Sequence, residues 1–101
     1  MEKLKEFLRQ DPHDAFSKHA LALEYIKLGD DPSARRLFEE ILDRDPGYTG
    51  TYYHLGRLLE RCGETALALS WYERGMAAAR AAGETRTCNE LRAAHEELAE
   101  E

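Results

Sequence analysis

The sequence predicts an all-α chain of about six helices arranged as antiparallel pairs, and three observations carry that expectation. Ala, Leu, Glu and Arg dominate while prolines number only three, so the composition is rich in strong helix formers. Apolar residues recur at i, i+3 and i+4 in one segment after another, the mark of a buried helical stripe. Residues of the same type also return at a fixed interval of 34 positions, so one helical pair is written twice.

Met1 to Gln10 holds Leu4, Phe7 and Leu8 on one stripe, and Asp11-Pro12 ends it because the residue before proline is pushed out of the α region. A second helix over 14–28 takes Asp14 as N-cap. It carries Phe16, Ala20, Leu21, Ala22, Leu23, Tyr25, Ile26 and Leu28, too many apolar positions for one stripe, so it has neighbours on more than one side. Gly29 supplies the left-handed cap. The third helix opens with Asp31 as N-cap and Pro32 in the first turn, where a missing N–H costs nothing. Its stripe is Ala34, Leu37, Phe38, Ile41 and Leu42, and it stops at Asp45-Pro46-Gly47.

Tyr48 to Cys62 reads as the fourth helix, closed by Gly63. Thr65 caps the fifth, which places Ala68, Trp71, Tyr72, Met76 and Ala79 on one face and runs through Ala77–Ala82 to Gly83. Gly75 inside that helix costs about 1 kcal/mol relative to Ala, which points to close packing there. The last helix, from about Thr85 to Glu100, presents Cys88, Leu91, Ala94 and Leu98 on one side. Glu96, Glu97, Glu100 and Glu101 form its solvated end.

The interval of 34 links positions with a structural job: 46 − 12 joins two Asp-Pro turns and 63 − 29 joins two glycine stops. Leu21 and Leu55, Tyr25 and Leu59, Ala34 and Ala68, and Phe38 and Tyr72 keep the same spacing. Phe38, Ile41 and Leu42 map back onto Leu4, Phe7 and Leu8. This pattern resembles the tetratricopeptide repeat family in two copies. One is Leu21-Ala22, Tyr25, Gly29, Ala34, Phe38 and Pro46, with Lys18 where the family prefers an aromatic. The other is Tyr52, Leu55-Gly56, Leu59, Gly63, Ala68 and Tyr72, with Arg80 where the closing proline falls. The resemblance implies a right-handed α-solenoid. It divides into a half repeat over 1–12, repeats over 14–47 and 48–82, and a capping helix over 84–101. The absent proline implies that the fifth helix runs on past the usual break. Tyr25, Phe38, Tyr52 and Tyr72 are assigned to core packing between helices.

Charge and motif content exclude several function classes. With 14 Lys plus Arg against 20 Asp plus Glu, the net charge of −6 lacks the positive field that drives nucleic-acid binding. No signal-like core opens the chain and no stretch reaches the ~20 apolar residues of a membrane span, so a cytoplasmic protein is expected. Cys62 and Cys88 lack CxxC spacing and read as small buried apolar residues. No Gly-rich phosphate loop, HExxH or nucleophile-elbow serine is present, and His13, His19, His54 and His95 make no i, i+4 metal pair. A non-catalytic module without cofactor or metal is the expectation.

The resemblance implies a concave groove lined by the first helix of each pair, holding a peptide or a partner's helix. Its candidate lining is Phe16, His19, Leu23 and Lys27 from one repeat and Tyr53, His54, Arg57, Glu60 and Arg61 from the other, continued by Thr87, Leu91 and His95. Tyr53, Arg57 and Glu60 fall at i, i+4, i+7, a stripe distinct from Tyr52, Leu55 and Leu59. A tyrosine beside an arginine is favoured at binding hot spots, and Arg57, Arg61 and His54 suit an acidic peptide. The alternative for Arg57, Glu60 and Arg61 is a solvated, mutually paired surface. The Lys, Asn and Arg clamp that some family members close on a C-terminal carboxylate is absent, its places being taken by His19, Leu23, His54, Glu84 and Cys88. A second reading is self-assembly: an incompletely covered end helix, with Leu4, Phe7 and Leu8 as its stripe, would dock two copies as a homodimer.

Overall fold

Three turns set the layout, each built on a glycine that a side chain would strain. Gly29 and Gly63 sit at φ of 78° and 79°, and the N–H three residues past each helix end reaches back five residues, Asp30 to Tyr25 and Glu64 to Leu59. Gly83 repeats the arrangement with Glu84 donating to the Ala79 carbonyl. A computed structural model describes residues 1–100 and holds six helices: α1 Glu2–Gln10, α2 Ala15–Lys27, α3 Asp31–Arg44, α4 Gly50–Arg61, α5 Thr65–Ala81 and α6 Thr85–Ala99. Glu101, the last of the acidic run, lies outside the described residues. The fold is all-α, and no helix among the described residues is long and apolar enough to cross a membrane.

The described residues form two compact units, Met1–Asp45 and a second that begins at Pro46. In the first, α2 packs against both α1 and α3. Leu21, Ala22, Ala34, Phe38, Ile41 and Leu42 fill its core, while Tyr25 is only half-buried and so packs less deeply than expected. Lys18, where an aromatic was anticipated, is buried at 8% exposure with its ammonium 3.4 Å from Glu40 on α3. In the second unit α5 packs against α4 and α6. Leu55, Leu58 and Leu59 are removed from water entirely or nearly so, each a stabilisation of about 1.5–3 kcal/mol. The ring of Tyr72 lies over Gly56, and Tyr52 lies against Gly75, which explains a glycine in mid-helix. The Tyr52 hydroxyl donates to the Pro46 carbonyl at 2.5 Å.

Local chemistry moves several boundaries from their expected places. The N-cap of α3 is Asp30, whose carboxylate accepts from the Ser33 N–H at 3.2 Å and from its hydroxyl at 2.7 Å, so Asp31 and Pro32 are the first two helical residues. Glu64 takes the equivalent cap position of α5 and Thr65 begins the helix. Asp14 caps α2 as expected, but its carboxylate accepts the Ser17 hydroxyl instead of a backbone N–H. Tyr48 and Thr49 form a turn ahead of α4, with the Thr51 N–H on the Tyr48 carbonyl. Cys62 is exposed because it sits at the C-terminal end of α4, beside the glycine turn; only Cys88 is buried. Neither cysteine is in a disulfide. Without a proline at position 80, α5 reaches 17 residues against 14 for α3.

Candidate interaction surface

On α4 the stripe Tyr53, Arg57 and Glu60 forms a connected network. Arg57 Nε donates to the Tyr53 hydroxyl oxygen at 3.2 Å, and its Nη1 lies 3.4 Å from Glu60 Oε1. Glu60 is in turn anchored from below, because the buried Tyr72 hydroxyl donates to its Oε2. Burial first, and then this bond to a carboxylate, push the Tyr72 phenol pKa up, so the group stays a neutral donor. The bond to Tyr53 leads the causes that raise Arg57, with the Glu60 charge adding to it. His54 is half-buried, meets the Tyr53 ring edge-on at 5.8 Å, and has its pKa lowered by burial. Arg61, one turn beyond Arg57, is exposed.

The corresponding stripe of α2 has a different character. Phe16 is 71% exposed, His19 is half-buried with its ring tilted on Phe38 at 5.4 Å, and Leu23 is half-buried. Lys27 is exposed and pairs with Glu24 at 3.3 Å.

The continuation onto α6 is corrected. Leu91 is fully buried, with its Cδ1 close to Gly75 of α5, and His95 turns towards α5 to meet Glu73 at 3.0 Å. The longer α5 shifts the register. The buried positions Tyr52, Leu55 and Leu58 correspond to Cys88, Leu91 and Ala94 at intervals of 88 − 52 = 91 − 55 = 94 − 58 = 36, not 34. The α6 positions matching Tyr53 and Arg57 are therefore Asn89 and Ala93, both exposed.

Two further features were not read from the sequence. Tyr72 was assigned to the core alone, although its hydroxyl supports the α4 surface; the only signal was a tyrosine where the first copy has Phe38. Arg74 stacks on Trp71 with its guanidinium carbon 4.1 Å from the ring centre, visible in sequence only as an i, i+3 pair. Among the described residues no group of three or more His, Cys, Asp or Glu side chains converges to hold a metal.

An all-α chain in which a glycine-closed helix pair returns every 34 residues is a helical-repeat protein. Solved structures make the class specific. A tetratricopeptide repeat domain protein from Salinibacter ruber is 42% identical, covers 87% of this chain and 89% of its own, and has a TM-score of 0.84. A protein from Bordetella parapertussis is 28% identical over 98% of this chain and 86% of its own, at a TM-score of 0.82. The TPR2B domain of yeast Sti1, solved in complex with pHsp70, shares the fold at 17% identity over 98% of this chain and 79% of its own, at a TM-score of 0.89. No protein-family profile and no curated protein matches the sequence. This chain belongs to the tetratricopeptide repeat family.

Proposed function

We propose that this chain is a non-catalytic protein-interaction module of the cytoplasm that holds an acidic peptide or partner segment on the outward stripe of α4, and that the stripe of α2 is a contact surface of the first unit in its own right. The observation that carries the reading is the state of Arg57. Tyr53 and Glu60 fix its Nε and Nη1, while its Nη2 lies outside both contacts on a side chain 38% exposed. A guanidinium oriented in this way meets a carboxylate with little further loss of side-chain freedom. Tyr53 and His54 flank it, and Arg61 adds positive charge one turn away. On α2, Phe16 and Leu23 offer apolar contact beside His19, and Lys27 adds a charge at the end of the stripe. The pHsp70 complex of the Sti1 domain supports peptide capture by this fold. Cys62 and Cys88, neither of them in a disulfide, suit a reducing compartment. The working division remains a half repeat over 1–12, repeats over 14–47 and 48–82, and a cap over 84–101.

An array of immobilised acidic peptides tests the reading. Binding sequences should lose at least about tenfold in affinity with Arg57→Ala plus Arg61→Ala, the worth of one or two charge-assisted hydrogen bonds. Undiminished binding by the double variant removes the α4 stripe from the site.

A second reading is self-assembly through the end helices. It is favoured by α1, which has no buried residue and leaves Phe7 56% exposed.

A further inference from the structure

In α3 the residues Phe38, Ile41 and Leu42 are almost wholly buried, at 2% exposure or less. Their counterparts at an interval of 34 are Leu4, Phe7 and Leu8 on α1. Contact with α2 half-buries Leu4 and Leu8, but Phe7 stays in water. A helix stripe that the repeat pattern designs for burial is thus covered on one side only. An exposed phenylalanine in the middle of such a stripe is an anchor without a pocket.

The charges beside Phe7 indicate what covers it. One turn before it stands Lys3 and one turn after it Asp11, both exposed. Asp11 is the C-cap of α1: its N–H still donates to the Phe7 carbonyl at 2.8 Å, which holds it one turn beyond Phe7, while its own backbone, at φ −137°, leaves the helix. Among the described residues Lys3 has neither ion pair nor side-chain hydrogen bond, and the Asp11 carboxylate takes only the His13 N–H, at 3.2 Å. The order cation, aromatic, anion becomes self-complementary when two copies of α1 run antiparallel about a two-fold axis at Phe7. Each Lys3 then faces Asp11 of the other copy, and the two phenyl rings meet between them. A partner surface of a single charge sign would meet one attraction and one repulsion on this stripe. The helix carries Lys3, Lys5 and Arg9 against Glu2 and Glu6, so it is locally +1 on a chain of −6, and like-charge repulsion between two copies is weak at this end.

We propose that α1 is a homodimerisation surface, closed by Phe7 against Phe7 and by two symmetric Lys3–Asp11 ion pairs. This rests on the self-assembly reading and adds its register.

Light scattering during size exclusion, run on the whole chain from micromolar to millimolar concentration, tests it. The mass should rise from 11.6 kDa towards twice that value as concentration increases. F7E should hold it at the monomer value with unchanged helical circular dichroism. K3D should weaken the dimer about tenfold by setting two like-charged pairs across the axis, and K3D with D11K should restore it. A single mass of 11.6 kDa at every concentration overturns both the self-assembly reading and this inference. A dimer indifferent to F7E keeps self-assembly but overturns the assignment to α1. A dimer that F7E breaks and the charge swap fails to restore overturns the antiparallel register.

Discussion

The pair α2–α3 and the pair α4–α5 solve one packing problem with different residues. In the second, the rings of Tyr52 and Tyr72 occupy the space that Gly75 and Gly56 leave open. At the same positions, 34 residues earlier, the first pair has Lys18 and Phe38 as the large residues and Ile41 and Ala22 as their partners. Where the ring of Tyr52 is missing, Ile41 fills the interior at 2% exposure and Lys18 sends its ammonium to Glu40. The difference reaches the surface. Phe38 has no hydroxyl, and its ring meets His19 of α2 at 5.4 Å; Tyr72 has one, and it anchors Glu60 and through it Arg57. The outer stripe of α4 is charged because Arg57 and Glu60 stand where α2 has Leu23 and Ile26, and the Tyr72 hydroxyl is what holds that charged stripe in place.

The largest effect expected from breaking this contrast is at Gly75. A Cβ there would lie 2.6 Å from Tyr52 Cβ, 2.8 Å from its Cγ and 2.9 Å from Leu91 Cδ1. The Tyr52 Cβ cannot withdraw without moving α4 itself. G75I, which installs the residue of the first pair, should destabilise the chain by about 3 kcal/mol, read as a lowered urea midpoint at unchanged slope. Adding Y52K reproduces the Lys18–Ile41 combination and should recover part of the loss. A fully stable G75I variant would show that the two pairs are interchangeable.

A smaller effect is expected at Gly56, where a Cβ would overlap the Cδ1, Cε1 and Cζ atoms of the Tyr72 ring. Alanine gains about 1 kcal/mol of helix propensity over glycine, while overpacking costs about 1–3 kcal/mol, so G56A should be a net loss of up to about 2 kcal/mol. Ala22 and Phe38 coexist in the first pair, so ring and methyl are compatible once the ring is free to shift. Y72F releases the ring from Glu60 at a cost of about 1 kcal/mol for the lost hydrogen bond. The penalty of G56A should shrink in the Y72F background, a coupling that a double-mutant cycle measures directly. Additive effects would mean that the bond to Glu60 does not hold the ring over Gly56.

These residues also mark how much was legible beforehand. The glycine stops and the buried faces of α3 and α4 arise from local rules that act within a few residues, and the interval of 34 is visible because those local signals return. The cap of α3 was misplaced by one residue because Asp30 and Asp31 are chemically alike, and only the bonds to Ser33 select between them. The register of α6 was misplaced because the greater length of α5 rotates the next helix, and Leu91 moved from the expected groove into the core. On the candidate surface, Arg57 with Tyr53 and Glu60 was readable as a single-helix stripe. The support from Tyr72 was not, since it crosses from α5 and depends on a close approach that Gly56 alone permits.

The smallest expected effect is a pH dependence that the second pair has and the first lacks at that position, because Ala20 stands where α4 has His54. Burial lowers the His54 pKa below its ordinary 6.5, so the folded chain resists a proton that the unfolded chain accepts. Between the lowered folded value and the unfolded one, the unfolded state binds more protons, and stability rises with pH. The contribution is complete above about 6.5 and is lost as pH falls towards the folded value. Carboxylates titrate mainly below about pH 5, so urea unfolding at about pH 7.5 and about pH 5.5 isolates the histidine window. Wild type should lose stability between those points, and H54A, which copies Ala20, should lose less. An equal loss in both would assign the slope to another histidine and leave the surface beside Tyr53 insensitive to the charge on His54.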